Sequence, residues 1–94
     1  MNDDKARTQE KEKLYEAILK LKTIEDCDKF FEDLCTINEI NAMAQRLDVA
    51  VLLKQGETFN NIVEKTGAST ATISRVNKCL KYGSGGYDIV LKDK

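Results

Sequence analysis

The run TFNNIVEKTGASTATISRVNKCLKYG, Thr58 to Gly83, reads as two short helices hinged at one glycine. Thr58 offers a hydroxyl to cap a helix ending near Lys65. Gly67 supplies the positive φ that reverses the chain, since it carries no Cβ. Ser69 caps a second helix, about Thr70 to Tyr82, and Gly83 ends it. Helix, glycine-centred turn and helix together make a helix-turn-helix over about 58–82. The packing positions are filled suitably. Ile62 and Val63 point the first helix inward, and Thr66 and Ala68 flank the turn. Ile73, Val76 and Leu80, at spacings of 3, 4 and 7, form one stripe that pins the second helix.

At about 100° per residue, the opposite face of the second helix carries Thr70, Ala71, Ser74, Arg75 and Lys78. Small side chains let a helix backbone sink into a major groove. Thr and Ser can bond base edges or phosphates, Ala71 or the Thr70 methyl can touch a thymine methyl, and Arg75 and Lys78 bring charge. The first turn, around Ser69 and Thr70, is the end that meets bases, and its free amides suit a phosphate. A merely solvated helical hairpin would favour Glu, Lys and Gln there. This face has β-hydroxyl residues instead, and no acid lies between Glu64 and Asp88.

Upstream, Thr36-Ile37-Asn38-Glu39 has the form of a capping box, with Thr36 accepting from the residue-39 amide and Glu39 reaching back. The helix it opens runs to about Gln55, with Gly56 as its stop. Its run Val49 to Leu53 covers most of the helix circumference and must be enclosed from several sides. Small chains bury a low fraction of their surface, so a second copy is the expected cover and a homodimer the expected state. Residues 9–22 place Leu14, Ile18 and Leu21 on one stripe. Thr23, paired with Asp26, starts a further helix through Leu34. After GSGG, Tyr87 to Leu91 form one last short helix. Residues 1–8 are expected to be disordered. No proline occurs and no segment alternates in the manner of a strand, so the fold is all-α, a single domain over 1–94.

Composition narrows the function further. The net charge is −1, but residues 58–83 set Lys65, Arg75, Lys78 and Lys81 against Glu64 alone. A basic island on an acidic body suits one phosphate-facing surface. With no histidine, Ser-His-Asp and Cys-His catalysis are excluded, and no phosphate-binding loop is present, so the chain reads as no enzyme. Cys27, Cys35 and Cys79 are an odd number at spacings unsuited to zinc, and each is expected to be a small buried hydrophobe without metal. No stretch reads as a membrane span or export signal, which predicts a cytoplasmic protein with no membrane partner.

GASTATISR, together with DLCTINEINAMAQRLDVAVLLKQG, resembles the Trp repressor family, most nearly its YerC/YecD group of bacterial proteins. The resemblance covers residues 28–83 well and the N-terminal helices loosely. It implies an intertwined homodimer of about six helices per chain, with two heads projecting to successive major grooves of double-stranded DNA. It implies transcriptional regulation, with Ser69, Thr70, Ala71 and Ser74 reading bases. It also places Thr36, Arg46, Arg75 and Cys79 in an effector pocket. Val76, however, stands where the tryptophan-binding member has Gly, and Cys79 replaces a Ser. A valine there fills the space an indole needs, so tryptophan is not expected and no cofactor is assigned. Arg46, on a helix with nearby acids, serves equally as an ion-pair partner, and Arg75 as a phosphate contact. The competing function is a protein-interaction module that keeps the fold but has little DNA affinity, anchored by Phe30, Phe31, Tyr82 and Tyr87.

Overall fold

A computed structural model describes residues 2–92, with side chains from Thr8 onward. The described residues form α1 (Asn2–Leu19), α2 (Ile24–Leu34), α3 (Ile37–Lys54), α4 (Phe59–Thr66), α5 (Thr70–Tyr82) and α6 (Gly86–Leu91). The fold is all-α with six helices. Of the disorder expected over 1–8, Met1 and the side chains through Arg7 lie outside the described residues; the α1 backbone is helical from Asn2.

Helix ends follow local chemistry. The Thr23 hydroxyl accepts from the Asp26 amide at 3.0 Å, and the Asp26 carboxylate accepts from the Lys22 amide at 3.1 Å. α3 begins directly after Thr36. Its far end closes with the paired bonds of a Schellman motif, Gly56 N–H to the Leu53 carbonyl at 3.0 Å and Glu57 N–H to the Leu52 carbonyl at 3.1 Å. Thr58 and Ser69 cap α4 and α5 as their positions predict. Gly83 ends α5 at close quarters, because a Cβ there would lie 2.5 Å from the Cys79 carbonyl oxygen.

The chain, read from sequence as one domain, divides into two compact units, Met1–Ile37 and Asn38–Lys94. In the first, Leu14, Ala17, Ile18 and Leu21 are half-buried, and α2 has no fully buried residue. Phe30 and Phe31 meet edge to face, 5.4 Å apart at 76°. In the second, Val49, Ala50, Ile62, Ala68, Ile73 and Val76 form the core, with Leu52, Leu53, Val63, Leu80, Tyr87 and Leu91 packed against it. Fully burying each of Val49, Ile62, Ile73 and Val76 contributes roughly 1.5–3 kcal/mol. A Lys54–Asp88 ion pair at 2.9 Å joins α3 to α6 at the surface.

Two expectations change here. Val49 and Ala50 are fully buried within one chain, and Val51, Leu52 and Leu53 are half-buried. The cover for this run comes from α4, α5 and α6. Three short helices of the same chain thus enclose Val49 and Ala50 and leave part of Val51, Leu52 and Leu53 accessible. The cysteines also differ from expectation, Cys27 and Cys79 being exposed and Cys35 half-buried. At about 100° per residue, Cys79 lies about 60° beyond Val76 and about 120° from Ile73, at the edge of the Ile73–Val76–Leu80 stripe and not at its centre.

Candidate nucleic-acid interface

The helix-turn-helix is built by α4, the residues around Gly67 and α5. Gly67 adopts φ +75°, and its N–H bonds the Val63 carbonyl at 2.8 Å. The Thr66 hydroxyl donates to the Ile62 carbonyl at 2.7 Å and accepts from the Ala68 amide at 3.0 Å. From α3, the Gln45 side-chain amide donates to the Thr66 carbonyl at 3.2 Å. Ala68, just past the turn, is buried in the core. These bonds tie the turn both to its own helix and to α3, so the start of α5 has a fixed place. Thr66 and Ala68 flank the turn as their sequence positions suggest. Gln45 is not legible that way, because its partner lies 21 residues away and no local pattern marks it.

Ser69 is committed to its cap. Its hydroxyl oxygen accepts from the Thr72 amide at 3.1 Å and its proton goes to the Thr72 hydroxyl, also at 3.1 Å. The first-turn amides of Thr70 and Ala71 have no partner among the described residues. Thr70, Ala71, Ser74, Arg75 and Lys78 are all exposed, and none of their side chains has a hydrogen-bond or ion-pair partner among the described residues. The inner stripe holds them outward, with Ile73 and Val76 buried and Leu80 half-buried.

Charge on this unit is smaller than the sequence count. Lys65 pairs with Glu57 at 3.2 Å, and the Asn61 amide donates to the same carboxylate at 3.2 Å. The hydrogen bond from Lys65, then that from Asn61, hold the Glu57 carboxyl below its ordinary range. Of the four cations in 58–83, Arg75, Lys78 and Lys81 remain without an ion pair among the described residues.

The residues expected in an effector pocket are exposed or half-buried. Thr36 belongs to the first unit, and Arg46, Arg75 and Cys79 to the second. Arg46 is half-buried on α3, with no ion pair among the described residues. Cys79 lines an open cleft of about 480 Å³ with Leu47, Gly83, Gly85, Tyr87 and Val90, which neither Arg46 nor Arg75 lines. Val76 is 1% exposed, spent on the core. Among the described residues no helix is long and apolar enough to cross a membrane.

Comparison with known proteins agrees with this architecture. The sequence profile of the Trp repressor protein family matches residues 9–94. An uncharacterised Bacillus subtilis (strain 168) protein, YerC, is 54% identical over 91 residues, which are 97% of this chain and 88% of that one. The crystal structure of a TrpR-like protein from Eubacterium eligens ATCC 27750 superposes with a TM-score of 0.89 at 54% identity, covering 95% of this chain and 92% of its own. A candidate Trp repressor from Staphylococcus aureus gives 0.88 at 47% identity, covering 97% and 91%. With the same six-helix fold, a matching profile over nearly all its length and relatives about half identical from end to end, this chain belongs to the Trp repressor family.

Proposed function

We propose that this protein is a sequence-specific DNA-binding transcriptional regulator, of the repressor type, that acts as a homodimer through α4 and α5. One observation carries the reading: α5 is pinned by a buried stripe and presents an acid-free face of Thr70, Ala71, Ser74, Arg75 and Lys78 with no partner among the described residues. In this reading Thr70, Ala71 and Ser74 meet base edges, while Arg75 and Lys78 meet phosphates. Ser69 acts chiefly through its cap and the amides it leaves free. Two copies would bind a pseudo-palindrome with half-sites about one helical turn apart.

Support for the homodimer comes from exposed apolar side chains in each unit, Ile24 (88% exposed), Leu19 and Ile37 in one, Leu47, Ile89 and Val90 in the other. The reading without tryptophan as effector rests on the resemblance, in which Val76, buried in the core, stands where the tryptophan-binding member has Gly. The protein-interaction alternative has less to stand on. Phe30, Phe31 and Tyr87 are half-buried, which leaves Tyr82 as its one exposed anchor.

The test is selection of bound genomic fragments by the purified protein at near-physiological salt, followed by titration of Arg75→Ala on the enriched site. Arg75→Ala should weaken binding on all sequences and lower the slope of log K against log salt by about 1. Unchanged affinity in that variant would remove α5's outer face from the interface.

A further inference from the structure

Tyr82 ends α5 with 80% of its surface exposed. At about 100° and 1.5 Å per residue, the step from Ala71 to Tyr82 makes three full turns plus about 20° and advances about 16 Å. Tyr82 therefore lies on the same outward face as Ala71, at its other end. A B-DNA major groove is about 12 Å wide. With Ala71 at the base edges, Tyr82 stands over the rim of the groove, where the phosphates run.

The electrostatics of the last turn agree. Lys78, one turn earlier, and Lys81, its neighbour, are exposed and have no ion pair among the described residues. The Gly83 amide takes up the Cys79 carbonyl at 2.8 Å, so one helix-end acceptor is satisfied within the chain. The next acid in sequence, Asp88, is held by Lys54. An aromatic ring set among cations, with a hydroxyl at its tip, suits an anionic surface better than an apolar partner.

We propose that Tyr82 is a phosphate-contacting residue for duplex DNA. Its hydroxyl donates to a backbone phosphate oxygen, while Lys78 and Lys81 neutralise the charge beside it. The assignment rests on the reading of α5 as the DNA-facing helix.

Tyr82→Phe removes only the hydroxyl at an exposed position, so the fold is retained and circular dichroism checks it. Fluorescence anisotropy on a selected genomic site, across a salt series, should show about a tenfold loss of affinity, as for a charge-assisted hydrogen bond. The salt slope should stay the same, because a neutral hydroxyl displaces no counterion, whereas Lys81→Ala should lower it by about 1. The loss should be equal on sites differing in base sequence. If Tyr82→Phe binds as the wild type does while Arg75→Ala is weakened, the Tyr82 assignment fails and the α5 reading survives. A loss confined to particular base sequences would also overturn the phosphate contact. If the wild type binds no DNA even at low salt, both fail together.

Discussion

Thr66→Val isolates what holds the turn. Valine keeps the shape of threonine and deletes the hydroxyl that donates to the Ile62 carbonyl and accepts from the Ala68 amide. The Ile62 carbonyl, inside a helix, keeps its backbone donor, so little is lost there. The Ala68 amide is different. Ala68 is 2% exposed, and a buried donor left without an acceptor costs about 1–3 kcal/mol. Taking about 2 kcal/mol, and about 4–8 °C per kcal/mol for a domain of this size, Tm should fall by roughly 10 °C. Because the Ala68–Ser69 segment places the start of α5, affinity for DNA should fall several-fold as well. Thermal unfolding by circular dichroism must be run at one protein concentration, since association shifts Tm. Thr66→Ser, which keeps the hydroxyl, should stay near the wild type. If Thr66→Val melted within about 2 °C of the wild type and bound DNA equally, the stitch would not be what positions α5.

Two further substitutions separate stability from binding. Ser69→Ala should cost about 1 kcal/mol through its lost cap, whereas Ser69→Asp should keep Tm, because Asp caps as well as Ser and suits the helix dipole. Ser69→Asp should nevertheless lose DNA affinity on every sequence, measured by anisotropy, since its carboxylate opposes the phosphates. Glu57→Gln tests the ion pair beside the turn. The folded-state carboxyl is depressed below 4.5, so its stabilisation is present above that value and is lost as pH falls through the folded value. The stability gap between wild type and Glu57→Gln, read by denaturant titration, should therefore close on acidification; a gap unchanged from neutrality to about pH 3 contradicts the pairing.

Much of the second unit is legible in the sequence. Hydroxyl residues at 58 and 69 and glycines at 56 and 67 mark helix ends, because capping and positive φ are decided within a few residues. The stripe Ile73, Val76 and Leu80 sorts α5 into an inner and an outer face for the same local reason, the helical period. What enclosed Val49 to Leu53 was not legible, since periodicity shows that a residue must be covered and says nothing of what covers it. The cysteines were misread likewise: a preference for burial belongs to the residue type, while exposure belongs to the packing around it.

Sequence alone therefore determined the all-α class, the helix-turn-helix and the outward set Thr70, Ala71, Ser74, Arg75 and Lys78, because each depends on caps, turns and a repeat of under four residues. Only the tertiary structure decided that α4, α5 and α6 close over α3, that Gln45 reaches the Thr66 carbonyl, and that Lys65 is spent on Glu57. Those contacts join residues from separate turns and helices, where the meeting is set by how the helices pack and not by any pattern along the chain.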